Sequence, residues 1–328
     1  MQWTISFDIP EGENKINYRS SIFSIGSCFS TLMGEKLAER KFSIMNNPFG
    51  TLFNPVSIAK VMEDALLEIP VNPDMLLNRD GLFLHYGMHS DIVGYSQDSL
   101  LRLILKKQQS TKQILENASH ILITFGTAWV YELRHVGQIV ANCHKQPSGL
   151  FEKRLLFPDE ILKAYRSFFD ILKKANKKAK VLVTVSPVRH TKDGIPENQL
   201  SKSILRMVSH HLVKDYDFVS YFPSYEIMMD ELRDYRFYKE DMIHPNVQAE
   251  DYIWERFKQT WIDRKCYDLI QEFEAIKRDL LHRPFNQESP AHMKFLDALQ
   301  KKLDKYSKDF DFSKEIDAIR KQVHYRGK

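Results

Sequence analysis

Short apolar runs alternate along the chain with longer stretches of helical periodicity. Runs rich in Ile, Val, Leu and Phe predict strands at residues 21–25, 42–45, 120–124, 180–185 and 218–222. Between them, apolar residues recur three and four positions apart, which predicts helices at residues 32–41, 56–67, 100–115, 158–174 and 199–213. Apolar strands separated by helices are typical of a parallel sheet covered on both faces. We therefore expect a doubly wound α/β domain over residues 1–262.

The pattern changes after residue 262, because no strand-like run follows. Three apolar stripes at helical spacing appear instead: Leu269, Phe273, Ile276 and Leu280; Leu296, Leu299, Leu303 and Tyr306; Phe312, Ile316, Ile319 and Val323. Ser289 followed by Pro290 is typical of a helix start. We expect a helical appendage over residues 263–328 that packs on itself, on the α/β domain or on a second copy of the chain. Such an appendage can also cover the mouth of the active site.

Composition narrows the class of protein. The 328 residues are 43% hydrophobic and 27% charged, which predicts a globular chain. The 47 basic and 43 acidic residues are interspersed, so we expect no nucleic-acid partner. Without a long apolar run or the basic start of a signal peptide, the sequence predicts a cytoplasmic protein without a membrane segment. Cys28, Cys143 and Cys266 lie far apart, which predicts reduced thiols and no disulfide framework.

Ser27 is the first candidate for chemistry. It follows Gly26 at the end of the first predicted strand, where a helix begins. A hydroxyl there lies beside free backbone N–H groups and the positive end of the helix dipole, which suits a nucleophile. The same position suits a serine that only caps the helix. Cys28 is a further alternative, since a helix N-terminus lowers the pKa of a thiol.

Asp241 and His244 form the second candidate. They lie three residues apart in a predicted loop just before a helix that starts near Val247. This spacing lets the carboxylate fold back onto the imidazole and fix its tautomer, as a general base requires. An ordinary surface loop is the alternative. The chain also contains Gly26 and Ser27 at the end of a predicted strand, and the two features together make the catalytic interpretation more specific.

These motifs resemble a known family. The segment GSCF at residues 26–29 resembles the signature of the GSCFA domain, a branch of the SGNH/GDSL hydrolase superfamily, and Asp241-x-x-His244 resembles that superfamily's final block. Further blocks in the same order are similar, at residues 47–55, 124–131, 140–145, 184–190 and 221–226. The resemblance implies a flavodoxin-like sheet with Ser27 as nucleophile, His244 as base and Asp241 as its orienting acid.

Two positions depart from the family pattern. Ser30 stands where the signature normally ends in Ala. The third block, residues 126–129, has Ala128 where the superfamily usually supplies an Asn to the oxyanion hole. Because a tetrahedral oxyanion still needs donors, we expect the N–H groups of Ser27 and Gly50, with either the Thr127 hydroxyl or the Asn142 amide.

Several histidines are candidates for substrate binding. His85 and His89 have a spacing that would suit zinc on a helix, but Gly87 between them favours a loop or strand, so we expect no metal. His144 and the pair Arg189–His190 each follow an apolar run and are predicted to form a cationic edge at the pocket mouth, with His85 lining the pocket. Core histidines and solvated loop charges are the alternatives.

The sequence thus predicts a serine esterase that needs no cofactor and acts on a small or glycan acyl ester. An acyltransferase would use the same site and pass the acyl group to a sugar or amine. A binding module without catalysis, in which Ser27 caps the helix and the basic edge holds an anion or carbohydrate, is the alternative from another class.

Overall fold

The computed structural model describes residues 4–282, 284–286 and 289–324. Its strands, in chain order, are β1 (Ser21–Gly26), β2 (Ser43–Asn46), β3 (Leu76–Arg79), β4 (Leu82–His85), β5 (His120–Phe125), β6 (Trp129–Leu133), β7 (Gln138–Val140), β8 (Phe151–Leu155), β9 (Lys180–Val185) and β10 (Val219–Phe222). Its α-helices are α1 (Cys28–Glu39), α2 (Pro55–Leu66), α3 (Gln97–Asn117), α4 (Pro158–Ala175), α5 (Ile195–Asp215), α6 (Ser224–Glu226), α7 (Val247–Trp261), α8 (Tyr267–Leu281), α9 (Pro290–Tyr306) and α10 (Ser313–His324).

Five parallel strands form the central sheet in the order β10-β9-β5-β1-β2. Taken in chain order, this is the arrangement of flavodoxin-like folds, and the sheet confirms the predicted fold class. The order in which strands are added to the sheet reverses between β1 and β5, and α1 packs on one face of the sheet whereas α4 packs on the other. Ligands of such sheets bind beyond the carboxyl ends of the strands at this reversal. Ser27 follows β1 directly at that point.

Alternate residues of each strand enter two separate cores. In β5, Ile121 and Ile123 pack among helices α2 to α5, whereas Leu122 packs on the opposite face with α1 and α7. Burial on both faces explains why the inner strands β5 and β9 are largely apolar. The sequence pattern also located β1 and the less buried edge strands β2 and β10.

Two small antiparallel sheets were not predicted from the sequence. The β3–β4 hairpin lies between α2 and α3, and the sheet β7-β6-β8 lies between β5 and α4. Their strands are only three to five residues long and carry charged or polar positions. Neither length nor periodicity distinguishes such segments from loops.

The three predicted C-terminal helices are present, and Ser289 caps α9 by accepting the N–H of His292 at 3.2 Å. Their apolar stripes share one core, formed by Phe273, Ile276, Leu296, Leu299, Leu303, Phe312 and Ile319; the side chain of Val323 lies outside the described part of the chain. The core of the α/β domain, however, extends past residue 262 to Cys266 and Ile270.

The appendage docks on the α/β domain at the end of α1 distant from Ser27. Tyr18 packs against Phe310 with ring centroids 4.9 Å apart, and Arg40 pairs with Glu274 at 2.6 Å. Arg40 follows α1, whose 12 residues span about 18 Å from Ser27. The expectation that the appendage covers the active-site mouth is therefore wrong. Within the described ranges, the helices include none that is both long and apolar enough to cross a membrane.

Candidate functional site

The turn between β1 and α1 is built around Gly26. Its φ of +142° suits glycine, and a Cβ there would overlap the carbonyl oxygen of Thr124 on β5. The Asn47 side chain accepts the Gly26 N–H at 2.8 Å, and the Leu52 N–H donates to the Gly26 carbonyl at 2.9 Å. These contacts hold the turn from both sides, so the position of Ser27 is fixed by its neighbours.

The Ser27 hydroxyl has no hydrogen-bond partner among the described residues, although the residue is only 1% exposed. It does not cap α1, since its side chain accepts no bond from the first helical turn. A buried hydroxyl without a partner is unfavourable and points to a function other than folding. At Cys28, burial raises the pKa of the thiol. The thiolate that a cysteine nucleophile needs is therefore disfavoured.

Asp241 and His244 are paired as their spacing predicts. The His244 Nδ1 lies 2.7 Å from Asp241 Oδ2, while Asp241 Oδ1 accepts the N–H groups of His244 at 2.9 Å and Ile243 at 2.8 Å. These bonds lower the pKa of Asp241 to about 2, the backbone N–H of His244 first among them. The carboxylate is thus ionised at neutral pH, and the Nε2 atom of His244 takes no part in the pairing.

Ser27 and His244 lie at the same end of the sheet but are not hydrogen-bonded to each other. Phe53 connects their surroundings: its carbonyl accepts the Gly126 N–H at 2.8 Å, and its ring meets His190 at a centroid distance of 5.3 Å. His190 in turn interacts electrostatically with His244. The surroundings of Ser27 and of His244 are thus linked through Phe53 and His190.

The expected oxyanion donors all have partners within the protein. The Ser27 N–H donates to Thr124 at 3.2 Å and the Gly50 N–H to Asn47 at 2.9 Å. Thr127 Oγ1 lies 3.1 Å from Ser201 Oγ, and the Asn142 amide donates to Ser90 at 3.2 Å. α1 begins at Cys28, so the N–H groups of Cys28 and Phe29 have no acceptor within the helix. The assignment of Ser27, Gly50, Thr127 and Asn142 stays a prediction.

Burial affects the protonation of the three histidines that are predicted to bind substrate. Burial lowers the pKa of His85 and of His190 to about 4 and also lowers that of His144, so all three are neutral near pH 7. His144 is 2% exposed, and its Nε2 lies 3.0 Å from the His85 carbonyl. Desolvation disfavours the charged forms of His144 and His190 and so argues against these two as cations at the pocket mouth, whereas the sequence predicts only that His85 lines the pocket. The substrate-binding assignment of the three histidines stays a prediction.

Arg189 lies beside the Asp241–His244 turn. Its backbone N–H donates to the Ile243 carbonyl at 3.2 Å. Its guanidinium carbon lies 4.3 Å from the centroid of the Tyr238 ring. Both residues line a cavity of about 190 Å³ together with Tyr235. A larger cavity, of about 570 Å³, lies apart from Ser27, between α2 and the small sheets, and His85 lines it. We assign the chemistry to the Ser27 edge, where the nucleophile, acid and base candidates lie.

Helix α5 contributes polar residues that the sequence interpretation missed. Asn198 accepts the His190 N–H at 2.8 Å, Ser201 accepts the Ala128 N–H at 2.7 Å, and Lys202 donates to the Gly126 carbonyl at 2.9 Å. All three side chains are buried. Their spacing of three and four places them on one helix face, a signal that was visible in the sequence. This face holds the loops that follow β5 and β9.

The zinc interpretation loses its geometric basis, since His85 lies in strand β4 and not on a helix with His89. Over the part of the chain that the structure describes, no group of three His, Cys, Asp or Glu side chains is arranged to hold a metal ion.

Comparison with known proteins assigns the chain to a family. The profile of the GSCFA family matches residues 21–257, and that of the GSCFA domain protein, C-terminal domain, matches residues 273–325. No curated protein matches the sequence significantly. The first match spans the central sheet, the Ser27 turn and the Asp241–His244 turn. The chain belongs to the GSCFA family.

Proposed function

We propose that this protein is a serine esterase of the SGNH/GDSL type, with Ser27 as nucleophile, His244 as base and Asp241 as its orienting acid. One observation carries the proposal: Ser27 lies at the reversal point of the sheet and at the start of a helix, yet its buried hydroxyl neither caps that helix nor bonds to another described group. The paired Asp241 and His244 supply the acid–base partner that such a hydroxyl needs.

The proposed reaction has two steps. His244 takes the proton from Ser27 Oγ as that oxygen attacks the acyl carbonyl, and the alcohol leaves with the proton that His244 returns. Water then attacks the acyl-enzyme with His244 again as base, which releases the acid and restores Ser27. Because Ser27 and His244 are not hydrogen-bonded in the free protein, the proposal requires that substrate binding brings them together, as catalytic hydrogen bonds often tighten only in the complex.

The proposed substrate is a small or glycan acyl ester. Arg189 and Tyr238 border the cavity beside the catalytic turn, and a stacked guanidinium with an aromatic ring suits a polar or anionic sugar group. The chain's free thiols, Cys28, Cys143 and Cys266, agree with a reducing, cytoplasmic location. The apolar stripes of the C-terminal helices share one core within the chain, so self-association through these helices stays a prediction that rests on the sequence alone.

The test is hydrolysis of short-chain activated esters by purified wild type, Ser27→Ala and Cys28→Ser. We expect Ser27→Ala to be inactive and Cys28→Ser to retain activity, since burial disfavours the thiolate. Loss of activity only in Cys28→Ser would make the thiol the nucleophile. The binding-module alternative loses one of its bases, because the Ser27 side chain does not cap α1. It would be supported if wild type bound a carbohydrate or anion without any turnover.

A further inference from the structure

Lys202 is a buried cation without a carboxylate partner. It lies on α5, is only 1% exposed, and pairs with no Asp or Glu of the described chain. Lysines are rarely buried without a paired acid, because removing an ammonium group from water is costly. An apolar side chain of similar volume would avoid that cost. The charge at this position therefore needs a reason other than packing.

The Lys202 ammonium joins the ends of two neighbouring strands. Its Nζ donates to the Gly126 carbonyl at 2.9 Å and to the Ser186 carbonyl at 2.7 Å. Gly126 follows β5 and Ser186 follows β9, so both acceptors lie at the carboxyl edge of the sheet. Gly126 leads into the Thr127 segment, and Ser186 leads into the segment that carries His190. One side chain thus holds two loops that border the Ser27 site.

The charge also acts on His190. Burial is the first cause that lowers the pKa of His190 to about 4, the electrostatic effect of Lys202 is the second and that of His244 the third, and Asp193 acts in the opposite direction. Burial alone lowers the pKa of Lys202, to about 7, whereas its two carbonyl acceptors favour the ammonium form. The Tyr225 ring also lies near Lys202, with its centroid 5.7 Å from Nζ.

We propose that Lys202 is a positioning residue of the Ser27 site, which fixes the loops after β5 and β9 and supplies a positive potential that favours an anion at the edge of the sheet. The inference rests on the proposed function, because the anion in question is the oxyanion that forms when Ser27 attacks an ester. Lys202 does not touch the reacting atoms. It acts through the backbone of Gly126 and Ser186 and through its field, which is weakly screened inside a protein.

The test compares Lys202→Met and Lys202→Gln with Lys214→Met, a substitution of an exposed lysine on the same helix. Met removes the charge and both hydrogen bonds, whereas Gln removes the charge but retains a donor. We expect both Lys202 variants to react with a neutral phosphonate at Ser27 on the order of 10²-fold more slowly than wild type, the size of effect that misplacement by about 1 Å produces. The Lys214 variant should react at the wild-type rate.

A titration followed by NMR separates the charge from a purely structural role. Removing the Lys202 charge should raise the titration midpoint of the His190 ring in both Lys202 variants and leave it unchanged in Lys214→Met. The titration of wild type does not depend on the folding of any variant. The chemical shifts of the His190 ring should show a second transition near pH 7, when Lys202 loses its proton. A single His190 transition in wild type, or folded Lys202 variants with wild-type midpoints and rates, would overturn the inference. Absence of any Ser27 reaction in wild type would instead refute the proposed function, and the titration would still decide whether Lys202 acts on His190.

Discussion

Both carboxylate oxygens of Asp241 contact His244: Oδ2 lies 2.7 Å from the ring Nδ1, and Oδ1 accepts the backbone N–H of the same residue at 2.9 Å. One short turn therefore orients the carboxylate and the ring, and the backbone N–H of Arg189, which donates to the Ile243 carbonyl at 3.2 Å, ties that turn to the segment after β9. Ser27 is held separately, by the turn that Gly26 allows. The proposed catalysis depends on how these two separately held parts meet.

Ser27→Ala should abolish ester hydrolysis and yet stabilise the protein. The Ser27 hydroxyl is buried without a partner, so its removal should raise the free energy of unfolding by about 1 kcal/mol. Ser30→Ala is the matched control on the same helix, because the Ser30 hydroxyl lies 2.8 Å from that of Ser24. It should lower the free energy of unfolding by about 1 kcal/mol and leave activity in place. Denaturant unfolding and an esterase assay give both readings; a destabilised Ser27→Ala would show that the hydroxyl has a structural partner.

His244→Ala should be as damaging as Ser27→Ala, with a loss of about 10⁶-fold in kcat, whereas Asp241→Asn should cost about 10⁴-fold. The acid only orients the base, so its loss is the milder one. The rate should rise with pH through the titration of the imidazole. A rate that is flat between about pH 5 and 8 would exclude His244 as the base.

The Asp241–His244 turn should resist acid more than an ordinary loop does. The folded pKa of Asp241, about 2, lies below its usual value of 3.8. A lowered carboxyl pKa gives stability that is present above 3.8 and is lost as the pH falls to about 2. The carboxyl signal of Asp241 in an NMR titration should therefore have its midpoint near 2, and the midpoint should return toward 3.8 in His244→Ala, which removes the ring bond. An unshifted midpoint in wild type would refute the pairing.

Removing the appendage should lower the stability of the protein but leave Ser27 reactive toward a phosphonate. Truncation after residue 271 keeps Cys266 and Ile270 in the α/β core but uncovers Tyr18, which packs on Phe273 and Phe310. The melting temperature should fall, while the phosphonate reaction at Ser27 continues, because the appendage docks at the opposite end of α1. Phe273→Ala should act in the same direction in the full-length chain, with a cost of about 3–5 kcal/mol. Loss of Ser27 reactivity in a folded truncated protein would show that the appendage contributes to the site. Sedimentation of the full-length and the truncated protein tests self-association.

Much of the central fold could be predicted because its inner strands are buried on both faces. The strand 180–185 was located to the residue, and α7 began at Val247 as expected. The small sheets were missed, because a strand such as Gln138–Val140 is too short to have a periodicity. Packing against other elements, and not local preference, makes these segments strands.

The site was predicted where it depends on local spacing and was missed where it depends on tertiary packing. The bond between Asp241 and His244 followed from a separation of three residues. The inward orientation of His144, with a φ of +49°, and the burial of Lys202 arise from contacts with distant segments. Sequence spacing therefore predicted the hydrogen bond between Asp241 and His244, but it could not identify which basic residues lose their exposure to water.

The most direct measurement of the central claim is the mass of the intact protein after incubation with an activated phosphonate, followed by peptide mapping of the adduct. Wild type should gain one phosphonyl group, located at Ser27, and His244→Ala should gain it far more slowly. Ser27→Ala should gain none. A wild-type protein that remains unmodified, or that carries the group at another residue while Ser27 stays free, would contradict the assignment of Ser27 as the nucleophile.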